Sequence, residues 1–280
     1  MYKQVLLNKI SNIIVFYLNN ISDNNMLHFN SSSDKSKKPL VFIHGIGSTS
    51  ETFKNQIKHF KKNNYVVSID LPGFGKSTIL KETSILNYAI TVYNFLISQN
   101  ITKPILVGHS LGGMIVQYII NKYLNYAEAA ILVATVSRFG SKDIAWQKHF
   151  INSRLEPLNK NKTMKDISLG AIKNIIGPYK DKDVIKFAEK MMSSISQEAY
   201  KAAIHSLVNF DLSKQFCEIP IPILLIAGEN DIQTPAKTML SMSKKNQNSK
   251  YLMIQNCGHL IHLEKPEIFN NAIKKFITNL

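Results

Sequence analysis

Cysteine is scarce in this chain of 280 residues, which contains only Cys217 and Cys257. Neither cysteine belongs to a pair with the spacing of a metal site or to the dense framework of a small disulfide-stabilised domain. The sequence therefore argues against a disulfide scaffold and against a cysteine metal centre. Because two unpaired thiols suit a reducing compartment, we expect a cytoplasmic location.

Arginine is equally scarce, although the chain is basic. Its 34 Lys and Arg residues exceed its 19 Asp and Glu residues by 15, yet Arg138 and Arg154 are the only arginines. The lysines are scattered from Lys3 to Lys275, whereas nucleic-acid surfaces cluster their charge and use arginine for bidentate contacts. We therefore expect no nucleic-acid partner, and we attribute the lysine content to an A- and T-rich coding sequence.

The apolar stretch near the start, Ile13 to Leu18, is too short to cross a bilayer and lacks a following small-residue cleavage signal. It is more typical of a strand, and a signal-like segment is the open alternative. With 45% hydrophobic residues, the chain has the composition of a globular protein with a sizeable core. We expect no stable membrane insertion.

Strand and helix patterns alternate along most of the chain. Apolar rather than half-polar strand runs predict a mainly parallel sheet of eight strands, an α/β fold with helices on both faces. The predicted strands are Ile13 to Leu18, Met26 to Phe29, Leu40 to Ile43, Tyr65 to Ile69, Pro104 to Val107, Ala130 to Ala134, Ile223 to Ala227 and Tyr251 to Ile254. The predicted helices of this part are Ser50 to Phe60, Ile85 to Ile97, Pro235 to Lys245 and Pro266 to Ile277.

This alternation stops after Thr135. Between residues 137 and 211 the sequence has no strand-like run but has amphipathic candidates at Lys142 to Ser153, Asp183 to Met192 and Gln197 to Val208. We interpret residues 137–211 as a helical insertion. It divides one core into a first part, residues 1–136, and a second part, residues 212–280.

The sequence around Ser110 has the pattern of a nucleophile elbow. A short apolar run leads into Gly108-x-Ser110-x-Gly112, and a helical pattern follows directly. So tight a turn strains the central residue and requires small neighbours, and it raises the serine hydroxyl beside the amino end of the helix. The pattern favours a catalytic serine; an ordinary glycine-rich turn is the alternative.

A serine nucleophile needs a base, and the base needs an acceptor that fixes its tautomer. Asp231 and His259 each follow one of the last two predicted strands. Parallel strands place their carboxyl ends on one edge, so these side chains are expected to converge with Ser110 there. The chain order Ser110, Asp231, His259 is the one expected for this topology.

Other acidic and imidazole side chains compete for these roles. Glu229 and Asp70 also follow strands, but we interpret Glu229 as a solvated turn residue and Asp70 as a carboxylate that stabilises its own turn. Among the histidines, His44, His109 and His262 are the competitors of His259. We expect His109 to point away from the nucleophile and His262 to be structural.

The oxyanion of an acyl-transfer reaction needs two backbone N–H donors. Leu111 directly follows the nucleophile and supplies one. The loop Phe42-Ile-His-Gly-Ile-Gly-Ser48 leaves the first predicted parallel strand, and the N–H of Ile46 is the natural second donor. A plain glycine turn is the alternative interpretation of this loop.

Five motifs together resemble the α/β-hydrolase superfamily: His44-Gly-x-Gly47, Asp70-Leu-Pro-Gly-Phe-Gly-Lys-Ser77, Gly108-His-Ser-Leu-Gly-Gly113, Gly228-x-x-Asp231 and Gly258-His-x-x-His-x-Glu-x-Pro266. The resemblance runs from Met26 to the carboxyl end. It implies an α/β-hydrolase sheet, a triad of Ser110, Asp231 and His259, an oxyanion hole from Ile46 and Leu111, and a helical lid across the insertion. It implies no metal or organic cofactor.

Within the superfamily, the chain is similar to the small esterase and lactonase branch, which includes 3-oxoadipate enol-lactonases and pimeloyl-carrier-protein methyl esterases. Tyr200 to Leu212 and the following Ile219 to Gly228 carry the similarity to enol-lactonases. The resemblance predicts a serine hydrolase that cleaves a small-molecule ester, lactone or thioester. A slowly turning-over signalling receptor and a C–C bond hydrolase are the alternatives.

The insertion is expected to select the substrate. Its large apolar side chains are candidates for an acyl pocket, although helix packing explains them too. These candidates are Phe139, Trp146, Phe150, Met191 and Met192. The sequence leaves the oligomeric state open.

Overall fold

The computed structural model of the protein describes residues 27–140, 143–178 and 181–280. These residues form a seven-stranded sheet in the order β1-β3-β2-β4-β5-β6-β7. The strands are β1 Phe29–Ser31, β2 Pro39–Ile43, β3 Tyr65–Ile69, β4 Ile105–His109, β5 Ala129–Val133, β6 Ile223–Gly228 and β7 Ser249–Ile254.

The sheet is parallel except for β1, which runs antiparallel to β3. The predicted mainly parallel sheet is therefore confirmed. The eighth predicted strand, Ile13 to Leu18, lies outside the described residues. Of the strand predicted from Met26 to Phe29, Met26 lies outside the described residues. β1 starts at Phe29, which pairs with Ile69 at the end of β3, and it continues to Ser31.

The described helices lie between these strands and after the last one. They are α1 Lys54–Phe60, α2 Ile85–Ser98, α3 Leu111–Lys122, α4 Ile144–Asn159, α5 Met164–Ile175, α6 Lys182–Ser193, α7 Gln197–Leu207, α8 Ala236–Ser243, α9 Ile261–Glu264 and α10 Pro266–Thr278. Two of them, α5 and α9, were not predicted. The predicted helix from Ser50 begins as a 3₁₀ turn, Ser50–Phe53, which the Thr49 side chain caps.

Helices cover both faces of the sheet, and each face has its own apolar cluster. One cluster packs α2 and α3 against one face of the sheet and extends into helices α4 to α7; it includes Leu106, Leu132 and Met192. The other packs α1 and α10 against the opposite face through Phe42, Phe53 and Phe269. Every residue of β3 to β6 is buried, as is β2 from Leu40 onward, as the continuous apolar runs predict.

Helices α4 to α7 all come between β5 and β6, in the segment that we expect to be an insertion. The two ends of that segment meet, since Arg138 and Asp211 form an antiparallel bridge. The N–H of Phe139 donates to the carbonyl of Phe210 at 2.9 Å. The chain thus leaves the sheet layer and returns to it at one place.

The turn from β4 into α3 holds Ser110 at φ = 53° and ψ = −116°, a conformation rare for a residue with a side chain. Gly108 makes the turn possible, because a Cβ at this position would collide with the carbonyl oxygen of Gly112 and lie 2.7 Å from the Cα of Gly113. The first turn of α3 can pack this closely only against glycine.

Replacing Gly108 with alanine tests this contact. We expect the free energy of unfolding to fall by about 2 kcal/mol or more, because the methyl group forces backbone apart. Gly170→Ala on α5 is the matched control, since Gly170 is exposed and a Cβ there meets nothing within 4 Å. It is expected to stabilise the protein by about 0.5–1 kcal/mol. Thermal and urea unfolding measure both; equal stabilities for the two variants would contradict the packing argument.

Candidate active site

Ser110 lies at the carboxyl end of β4 and at the amino end of α3, where it lines a cavity of about 540 Å³. Its backbone is held on both sides: its N–H donates to the carbonyl of Val133 at 2.9 Å, and its carbonyl accepts from the Thr135 hydroxyl at 2.8 Å. These bonds hold the strained turn in place. The hydroxyl is therefore presented to the cavity by a rigid support.

His259 and Asp231 form a buried hydrogen-bonded pair beside this cavity. The His259 Nδ1 lies 2.8 Å from the Asp231 Oδ2, and the imidazole lines the cavity together with Ser110. Since Nδ1 is engaged by the carboxylate, Nε2 is the ring nitrogen left for the serine side. The structure thus brings together the three residues that the sequence places at separate strand ends.

The loop after β6 prepares Asp231 as an anion. Its Oδ1 accepts from the N–H groups of Gln233 and Thr234, and its Oδ2 accepts from the Thr234 hydroxyl at 2.6 Å. Burial would raise the pKa of Asp231, but the adjoining imidazole and these hydrogen bonds together lower it below its ordinary value. The side chain is therefore a charged acceptor that can fix the tautomer of His259.

The loop after β2 approaches the serine closely. A Cβ on Gly45 would lie 2.9 Å from the Cβ of Ser110, and Ile46 lines the cavity in the turn that follows. His44 braces the loop: its Nδ1 donates to the carbonyl of Gly45 at 2.8 Å, and its Nε2 accepts from the N–H of Leu71 at 3.0 Å. Leu111 is the first residue of α3, so helix geometry supplies no intrahelical acceptor for its N–H.

Three further histidines surround the pair and are held neutral. Burial lowers the pKa of His44 to about 4 and that of His262 to about 3. Burial, reinforced by the neighbouring His262 and His259, also lowers the pKa of His109 well below its usual value. The Nε2 of His109 lies 2.9 Å from the His259 carbonyl, and that of His262 lies 2.7 Å from the Thr52 hydroxyl. Both rings therefore act as braces.

Glu264 holds the loop that carries His259, a role that sequence reasoning missed. Its Oε2 accepts from the N–H groups of Gly177 and Gly258, and its Oε1 accepts from that of Leu260, at 2.8–2.9 Å. The carboxyl is buried, and burial raises its pKa despite these bonds. The sequence signal for this role was the position of Glu264 in the motif Gly258-His-x-x-His-x-Glu, to which the sequence analysis assigns no function.

The cavity wall is mainly apolar, and helices α4 to α7 supply much of it. Of the five pocket candidates, Phe139, Phe150, Met191 and Met192 line the cavity. Trp146 does not: it stacks on Phe150 with ring centroids 5.5 Å apart and meets Phe139 edge-on. Because residues 146 and 150 lie one turn apart on α4, their rings pack together, and Trp146 is left partly exposed behind the wall.

Glu229 and Asp70, the alternatives to Asp231, form hydrogen bonds away from His259. Glu229 is exposed and accepts from the N–H of Asn256 at 2.9 Å. Asp70 accepts from the N–H groups of Ser50 and Lys76 and pairs with the Nδ1 of His28 at 2.8 Å. Both therefore stabilise loops away from the imidazole of His259.

Within residues 27–140, 143–178 and 181–280, no group of three or more His, Cys, Asp and Glu side chains is arranged to hold a metal ion. No helix in this part of the chain is long and apolar enough to cross a membrane.

A parallel sheet with a strained serine turn and a His–Asp pair at its carboxyl edge defines the class of α/β hydrolases. The family model for the alpha/beta hydrolase fold matches residues 38–266, so the chain belongs to this family. It is a hydrolase of this superfamily, and its similar curated proteins include esterases and lactonases.

Individual relatives extend over most of the chain. A pimeloyl-[acyl-carrier protein] methyl ester esterase of Legionella pneumophila is 28% identical over 243 residues, covering 85% of this chain and 95% of that protein. A 3-oxoadipate enol-lactonase of Acinetobacter baylyi is 25% identical over 244 residues, covering 86% and 89%. The solved structure of a thermophilic esterase from Thermogutta terrifontis has a TM-score of 0.82 and 21% identity, covering 90% and 93%.

Replacing Glu264 with glutamine tests its clamp on the His259 loop. One glutamine oxygen cannot replace both carboxylate oxygens, so at least one buried N–H loses its acceptor at a cost of about 1–3 kcal/mol. The melting temperature should fall by several degrees. Glu267→Gln changes an exposed glutamate on α10 and should leave it unchanged. Equal melting temperatures for the two variants would show that Glu264 holds nothing in place.

The neutral histidines predict a loss of stability in acid. The pKa of His262 is about 3 in the folded state against an ordinary value of 6.5, so the unfolded state takes up a proton first. The free energy of unfolding should have its highest value above pH 6.5 and fall as the pH drops towards 3. His262 should contribute a slope of up to about 1.4 kcal/mol per pH unit. Urea unfolding across this range should give a shallower slope for His262→Phe. An unchanged slope would mean that His262 is already charged when folded.

Proposed function

We propose that the protein is a serine hydrolase that cleaves a carboxylic ester, lactone or thioester through an acyl-enzyme on Ser110. The observation that carries the proposal is the 2.8 Å His259–Asp231 pair, which lies beside the same cavity as the strained serine. A buried carboxylate that fixes an imidazole next to a serine is the arrangement that activates the hydroxyl.

In the first step, the Oγ of Ser110 forms a bond to the substrate carbonyl carbon while the Nε2 of His259 takes the hydroxyl proton. The carbonyl electron pair moves onto oxygen, and the N–H groups of Ile46 and Leu111 stabilise that charge. Re-formation of the carbonyl breaks the bond to the alcohol or thiol, which leaves with the proton from Nε2. Asp231 stabilises the charged imidazole between these events.

In the second step, a water molecule transfers a proton to Nε2 and attacks the acyl carbon. The intermediate collapses, the proton returns to the Ser110 oxygen, and the carboxylic acid is released. Because His44, His109 and His262 are held neutral, they add no repelling charge to the imidazolium of His259. The mechanism uses no metal or organic cofactor.

The acyl group occupies the cavity between the sheet edge and helices α4 to α7. Phe139, Phe150, Met191 and Met192 give it an apolar wall suited to a hydrocarbon chain. We interpret residues 137–211 as a lid that selects this group, with the core formed by residues 1–136 and 212–280. The names of the methyl ester esterase and enol-lactonase relatives support a small-molecule ester or lactone.

Replacing Ser110 with alanine tests the nucleophile. We expect kcat/KM on a panel of short esters, lactones and acyl thioesters to fall by about 10⁴-fold or more. Labelling by a fluorophosphonate probe should also be lost. The control is Ser98→Ala, an exposed serine at the end of α2, which should keep both properties. Turnover by Ser110→Ala at the rate of the unaltered protein would overturn the proposal.

A further inference from the structure

Among the described residues that line the cavity of Ser110 and His259, Arg154 is the one cation. Arg154 lies on α4 and is half-buried. The other residues that line the described cavity are apolar, neutral polar or histidine, and none of them is Asp, Glu or Lys. The guanidinium therefore gives this apolar pocket a positive charge that no acidic residue of its described lining neutralises.

Neutral partners hold the guanidinium in position. Its Nη2 donates to the Oε1 of Gln233 at 3.1 Å, and its carbon lies 5.2 Å from the centre of the Phe150 ring. The backbone N–H of Gln233 in turn donates to the Oδ1 of Asp231 at 2.8 Å. One residue thus connects Arg154 to the loop of the catalytic acid, so the charge is set at a defined place relative to the reacting groups.

Arginine stays protonated, and a charge facing apolar walls gains most from an anionic partner. The guanidinium uses one N–H for Gln233 and keeps other donors in the planar arrangement that matches a carboxylate. A neutral ester can use none of this charge.

We infer that Arg154 binds a free carboxylate on the substrate, so that the preferred substrate is an ester, lactone or thioester with a second, unesterified carboxyl group. This inference rests on the proposed function, whose acyl-enzyme it leaves unchanged. The carboxylate pairs with Arg154, the hydrocarbon chain lies along the apolar wall, and the ester carbonyl reaches Ser110. The net charge of +15 adds a long-range attraction for such an anion.

The test compares matched substrates. Methyl half-esters of linear dicarboxylic acids of increasing length are each paired with the methyl ester in which a methyl group replaces the free carboxylate. The protein should prefer the half-ester at the chain length that spans the cavity. Arg154→Gln should lower kcat/KM for that half-ester by about ten- to a hundredfold, the usual effect of losing a charge-assisted hydrogen bond. Its activity on the neutral partner should hold, which also shows that the variant is folded.

The control is Lys148→Gln, which removes the same charge from an exposed position on α4 outside the cavity lining. It should leave the preference for the half-ester intact. An equal loss on both substrates in Arg154→Gln, or a loss of preference in Lys148→Gln, would overturn the inference in favour of a packing role or of general surface charge.

Binding separates this inference from the proposed function. Calorimetric titration of Ser110→Ala with the half-ester should show binding that the added Arg154→Gln change weakens by a similar factor. If the half-ester binds in an Arg154-dependent manner but the unaltered protein does not turn it over, the carboxylate site is supported and the proposed serine hydrolase activity is overturned. If Arg154→Gln changes neither the turnover of the half-ester nor its binding, the carboxylate site is overturned and the serine hydrolase is kept.

Discussion

The close approach of backbone to backbone around the turn from β4 to α3 is the constraint on which the rest of the site depends. Ser110 can hold its positive φ because Gly108 leaves room for the first turn of α3 and because β5 accepts its N–H. This turn fixes the positions of Ser110 and of the start of α3 relative to the sheet. The loops that follow β2, β6 and β7 all lie beside this position.

Much of this arrangement could be predicted from the sequence, because its signals are local. Continuous apolar runs place the strands of the parallel sheet, and Tyr65 to Ile69 coincides with β3 in the structure. Residues just after such strands lie at one edge, and this reasoning anticipated that Asp231 and His259 would meet. The class of protein followed from the same motifs.

Other features could not be predicted, because they depend on contacts between distant segments. The three N–H groups on Glu264 come from Gly177 and from the loop that precedes α9, and sequence spacing does not reveal that their donors converge. Helix α5 was missed because an exposed glycine and β-branched residues weaken its pattern. Its capping box between Thr163 and Asp166 was the signal available. The outward position of Trp146 reflects ring packing, which periodicity does not resolve.

The Glu264 contact also joins two segments that are distant in the sequence. Gly177 follows α5 in the segment 137–211, while Gly258 directly precedes His259, and one carboxylate accepts from both N–H groups. The His259 N–H further donates to the Ile175 carbonyl at 2.8 Å. Separating residues 175–177 from the loop that carries His259 would break both of these contacts, so the position of the imidazole depends on a part of segment 137–211 that is far from it in the sequence.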